Sequence, residues 1–109
     1  MTDTAETRPV DLADAADLDA FVAANDRALV EFYTDGCTIC QSMVPVLGNV
    51  ARATDVAVGL VNPRDDPPLI ERFQVQSVPL LVRFEDGEPV ARKAEGFVGA
   101  DELEAFVEA

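Results

Sequence analysis

No histidine and no tryptophan occur among the 109 residues, lysine occurs once, at Lys93, and only two positions are cysteine. The missing histidine removes the commonest general base and the commonest metal ligand. Basic residues are scarce as well, 8 against 21 acidic ones, for a formal charge of −13. Such a surface repels phosphate backbones and anionic lipid, so neither nucleic acid nor a membrane is expected as a partner. No stretch approaches the roughly 20 apolar residues of a membrane span. The polar, acidic opening from Met1 to Thr7 lacks the basic start and apolar stretch of a signal peptide. A soluble, cytoplasmic protein is the expectation.

What is present suffices for one core. Hydrophobic residues make up 49% of the chain, too many for a disordered acidic tail. The length suits a single domain, expected over residues 9–109, with residues 1–8 as a flexible tail. Arginine occurs seven times against one lysine, and aspartate outnumbers glutamate twelve to nine. This bias resembles that of proteins from salt-accumulating halophiles, where screening over ~3 Å at 1 M salt removes the self-repulsion of an acidic coat.

Periodicity orders the elements. Val10–Leu12 reads as a short strand, and Leu18, Phe21 and Val22 lie at helical spacing after a cap at Asp14 or Asp17, with Asn25 as the stop. Ala28–Tyr33 is a continuous apolar run interrupted only by Glu31, the pattern of a strand buried on both faces. A turn at Thr34-Asp35-Gly36 leads to a helix that starts at the cysteines and buries Met43, Leu47 and Val50. Pro45 inside it predicts a kink. Val56–Val61 reads as a buried strand, Asn62–Asp66 as a loop, and Pro67-Pro68 as the start of a short helix through Phe73. The Asp86-Gly87 step predicts a hairpin between strands Leu80–Phe84 and Val90–Ala94, before a last helix over Asp101–Glu108. The order β-α-β-α-β-α-β-β-α implies an α/β sandwich around a central mixed sheet.

Cys37 and Cys40 enclose Thr38-Ile39. Two randomly placed cysteines would stand three apart only about 2% of the time. A turn and a helix start put Cys37 where backbone N–H groups and the helix dipole favour a thiolate. Cys40, one turn on, is expected to be more buried and within reach of Cys37, so that a disulfide can open and close. Two other readings stay open on these residues. A structural disulfide across so short a loop adds little stability. A zinc or iron–sulfur site, lacking its usual four ligands here, would have to bridge two chains.

With these elements in place the chain resembles the thioredoxin family from Val10 to Glu108. The resemblance rests on Ala28–Tyr33 leading into Cys37-Thr38-Ile39-Cys40, on Pro45, on Ser77-Val78-Pro79 before a strand, and on Gly96 before the last helix. It implies a thioredoxin-like α/β fold, a mixed five-stranded sheet flanked by about four helices. The implied activity is thiol–disulfide exchange on protein disulfides, with a reductase as electron donor, no cofactor beyond the Cys37–Cys40 disulfide, and a monomer. A thioredoxin-fold binding module with little turnover is the alternative. By the same resemblance Pro79 matches the family's cis-proline facing the dithiol. Its neighbour Val78 would offer backbone groups to an extended substrate, as in strand addition. Glu31 matches the family's buried acid, and desolvation inside an apolar strand should raise its pKa, making it a proton acceptor for Cys40.

Five departures bear on redox potential and partner choice. Gly36 stands where the family usually has Trp, Thr38-Ile39 replaces Gly-Pro, Leu80 follows the expected cis-proline where Thr is common, Gln41 replaces a basic residue, and Val58 lies near the place of a lysine that often pairs with the buried acid. Gly36, Ile39, Val78 and Gly96, with Phe97 beside them, are expected to form an apolar substrate groove with fewer walls.

Overall fold

Alternation within one strand sets the two layers of this molecule. The computed structural model describes residues 8–109, so the tail expected over residues 1–8 lies, apart from Arg8, outside the described residues. In β2 (Arg27–Phe32), Ala28, Val30 and Phe32 pack into one hydrophobic cluster, while Leu29 packs into a second on the opposite face. Side chains two apart share a face, so Glu31 points the same way as Leu29.

The other strands are β1 (Val10–Leu12), β3 (Ala57–Val61), β4 (Leu80–Glu85) and β5 (Glu88–Lys93). They form one five-stranded sheet in the order β1-β3-β2-β4-β5. The first three run parallel, and β4 and β5 are antiparallel additions. Helices α1 (Ala15–Ala24) and α3 (Pro68–Arg72) supply Leu18, Val22 and Leu69 to the first cluster. Helices α2 (Thr38–Ala53) and α4 (Ala100–Glu108) supply Met43, Leu47, Val50, Leu103 and Val107 to the second.

The local signals act as their chemistry requires. Asp14 caps α1, its side chain accepting the Asp17 N–H at 2.9 Å, and Asn25 closes it by donating to the Phe21 carbonyl at 2.8 Å. At the hairpin, Asp86 and Gly87 have φ of +53° and +84°, the left-handed pair that suits the strand twist. α2 continues as one helix through Pro45 to Ala53.

Most strand boundaries fall within one residue of the sequence reading, and two places depart further. β5 begins at Glu88, earlier than the expected Val90, because it is an edge strand whose outer side needs no N–H from Pro89. A register shift at Arg83/Phe84 absorbs Val90 as an extra residue. The loop after β3 contains a 3₁₀ turn, Pro63–Asp65, held by the Asn62 side chain. Gly59 also has a packing role that periodicity did not show. A β-carbon there would meet Leu12 at 2.8 Å and Phe21 at 3.0 Å, so glycine lets α1 and β1 close over β3.

Candidate active site

β2 delivers the chain to the site. Its last residue, Phe32, pairs with Leu80, the first of β4, and the Tyr33 N–H donates to the Val61 carbonyl at 3.0 Å. The chain then turns through Thr34-Asp35-Gly36. Gly36 has φ of +81° with open space around its Cα. Conformation, and no steric contact, therefore favours glycine where the family usually carries Trp.

Cys37 caps α2. Its Sγ accepts the Cys40 N–H at 3.1 Å, so a backbone donor at a helix start already points at the sulfur. Cys37 and Cys40 are joined as a disulfide with Cα atoms 5.3 Å apart. Exposure separates the two sulfurs' owners: Cys37 is half-buried and Cys40 is 2% exposed. An incoming thiolate or disulfide therefore reaches the first cysteine, and the second lies behind it.

Behind the disulfide, Glu31 is 1% exposed, and its Oε2 has no hydrogen-bond partner. Burial pushes its pKa up from 4.5 to about 8, because a carboxylate loses its hydration there with no cation in exchange. Glu31 and Cys40 line one cavity of about 150 Å³, together with Asp11, Tyr33, Asp35 and Gln41. Burial first, and then the carboxylates of Asp11 and Asp35, also hold the Tyr33 phenol above its ordinary pKa. The Glu31 carboxyl and Cys40 thus face the same hollow.

On the other side of the disulfide the Val78–Pro79 peptide is cis, with Pro79 buried and Val78 half-buried. Because Leu80 pairs with Phe32, the Pro79 loop leaves the sheet beside the turn that carries Cys37. Leu81 pairs with Lys93, and three residues beyond each lead to Val78 and Gly96, so these two loops leave the sheet side by side. Gly96 has φ of +81°. The next loop residue but one, Val98, donates its N–H to the Met43 sulfur at 3.3 Å, which ties this loop to α2. Ile39 and Phe97 are 46% and 56% exposed, an apolar rim on an acidic molecule. All eight residues singled out from the sequence thus lie on β2, the α2 start, or the two loops beside it.

Asp11, Tyr33 and Asp35 were not anticipated there. Asp11 joins the cavity only because β1 adds to the sheet next to β3, and nothing in the sequence near Asp11 announces that pairing. Among the described residues there is no group of three or more His, Cys, Asp or Glu side chains placed to hold a metal ion. None of the described helices is long and apolar enough to cross a membrane.

A cysteine pair at disulfide distance, opening a helix over a buried carboxyl, defines a thiol–disulfide oxidoreductase. Comparison with known proteins narrows the class. The sequence model of the thioredoxin family matches residues 9–109, and the chain belongs to that family. It is 35% identical over 94 residues to a thioredoxin of Mycobacterium tuberculosis, covering 84% of this chain and 81% of that one. A mutant thioredoxin from Halobacterium salinarum NRC-1 has the same fold with a TM-score of 0.88 at 33% identity, covering 94% of this chain and 90% of the other. A bifunctional thioredoxin reductase/thioredoxin of Mycobacterium leprae is 28% identical over 85 residues, 76% of this chain and 19% of that protein.

Proposed function

We propose that this chain is a cytoplasmic, monomeric reductant of protein disulfides that is itself re-reduced by a partner reductase. The observation that carries the reading is the division of labour between the two cysteines, one half-buried under a backbone N–H and one enclosed beside Glu31.

The Cys37 thiolate attacks one sulfur of the substrate disulfide. An S–S bond forms between Cys37 and the substrate, and the other substrate sulfur leaves as a thiolate. Cys40 then gives its proton to Glu31 in its ionised form and attacks the Cys37 sulfur. The intramolecular disulfide closes and the second substrate sulfur leaves as a thiolate, so two electrons pass from the dithiol to the substrate. With its pKa raised to about 8, Glu31 is ionised in only a minor fraction of molecules at neutral pH; that fraction accepts the Cys40 proton and then retains it. In the reverse step, when a reductase thiolate opens the disulfide, Glu31 returns the proton to the departing Cys40 thiolate. Val78 and Pro79 align the substrate chain, and Gly36, Ile39 and Gly96 shape the groove it lies in. No added cofactor enters this cycle. The reductase half of the Mycobacterium leprae relative supports the kind of electron donor proposed.

Insulin reduction driven by dithiothreitol tests the function. The protein in catalytic amount should shorten the lag before the freed insulin chains precipitate; an unchanged lag would rule the activity out. The acid-rich coat is read as an adaptation to concentrated salt, in line with the Halobacterium likeness. The melting temperature should accordingly rise from dilute to molar potassium chloride, and a flat or falling series would remove that part of the reading.

A further inference from the structure

Beside the dithiol lies a second cavity, of about 210 Å³, whose lining includes Thr34, Pro63, Arg64, Ile70, Val75 and Val78. Thr34 also lines the Glu31 cavity, so the two hollows meet at the turn before Cys37. Their charges are opposite. Asp11 and Asp35 wall the first, whereas the only charged side chain lining the second is Arg64.

Arg64 is also uncommitted. The guanidinium groups of Arg72 and Arg83 pair with Asp19 and Glu85, and those of Arg27, Arg52 and Arg92 bond to Val107, Asn49, and Phe73 with Gln74. Lys93 pairs with Glu95 and Glu102. Among the described residues, the Arg64 side chain makes no ion pair and no hydrogen bond. Its backbone, in contrast, is fixed: the buried Asn62 side chain accepts the Arg64 N–H at 3.0 Å. On a molecule of charge −13, a cation left unpaired at a groove wall offers an acidic partner a local attraction that most of the surface does not.

We propose that this cavity receives an acidic side chain of the client protein, from a residue next to the cystine that Cys37 attacks. Its carboxylate meets Arg64, and its methylene groups lie against Ile70 and Val75. The acidic walls of the neighbouring cavity turn the same carboxylate away, so the pair of hollows fixes the direction in which the client chain crosses Val78. This specificity rests on the reducing function proposed above.

The test uses two cystine-bridged peptides, identical except for Asp or Lys beside the cysteine, at the lowest salt that preserves the native fold. The ratio of kcat/KM for the Asp peptide to that for the Lys peptide should fall about five-fold in Arg64→Ala and further in Arg64→Glu, while Arg64→Lys retains it. Arg72→Ala removes the same charge at a distance and should leave the ratio within about two-fold of the wild type. An unchanged ratio in the Arg64 variants, or an equal fall in Arg72→Ala, would overturn the proposal while leaving the reducing function intact. Wild-type reduction of bis(hydroxyethyl) disulfide, which has no side chain for the cavity, tests the dithiol separately, and its failure would overturn both.

Discussion

Replacing Cys40 by serine should stall the protein as a covalent adduct with its substrate. In Cys40→Ser the Cys37 thiolate still forms the mixed disulfide, but no second thiol stands behind it to release the product. Mass spectrometry after incubation with a protein disulfide should find one substrate chain attached through Cys37. Cys37→Ser should form no adduct at all. In the insulin assay it should lose at least about a thousand-fold in rate, as expected when the attacking atom itself is removed. The asymmetry follows from position: Cys40, 2% exposed, cannot meet a bulky disulfide in place of Cys37. Equal adduct formation by the two variants would contradict the assignment of attacking and resolving roles.

The second large effect concerns Glu31. Its pKa is raised from 4.5 to about 8 in the folded protein, so the folded state holds a proton that the unfolded chain releases. Its favourable share of stability is complete below about pH 4.5, shrinks as pH rises, and is gone above about 8. At neutral pH the group therefore costs roughly 3 kcal/mol. Glu31→Gln, which keeps the shape and cannot ionise, should be more stable by an amount of that order at pH 7. Urea unfolding at a series of pH values should show the wild type losing stability between about pH 5 and 8, a slope that the variant lacks.

The same substitution should slow the chemistry. Opening of the disulfide by dithiothreitol, expressed per dithiothreitol thiolate, should hold steady in the wild type up to about pH 8 and fall above it as Glu31 loses its proton. Glu31→Gln should be slower by about ten-fold or more at neutral pH and show no such break. A variant that is more stable and slower would display the cost of a buried acid beside its use. Unchanged rates and an unchanged pH profile would leave Glu31 as a merely tolerated carboxyl.

The sequence disclosed most where one residue's chemistry decides its own surroundings. An acid inside Ala28–Tyr33 can only be buried if that run is a central strand, and β2 has neighbours on both sides. Asp86-Gly87 specifies a hairpin turn by its backbone preference alone, and Cys37 caps a helix as its spacing from Cys40 and the preceding glycine imply. Edge behaviour was harder to read. Glu88 and Pro89 look like loop residues, yet they are strand, because β5 has sheet on one side only. Hardest were groupings that depend on strand order. Asp11 and Glu31 stand 20 positions apart and share a cavity because β3 lies between their strands. Arg64 meets Val78 and Thr34 only once α3 and the β4 entry have folded back over the end of β2. No local pattern records such meetings.

The central claim is that Cys37, at the start of α2, is the thiolate that begins exchange. Alkylation of the fully reduced protein with iodoacetamide across a pH series, with peptide mapping to assign each adduct, measures this directly. Cys37 should be modified first, with an apparent pKa below the ordinary value of about 8.5, while Cys40 stays protected. Faster modification of Cys40, or titration of Cys37 at or above that ordinary value, would contradict it.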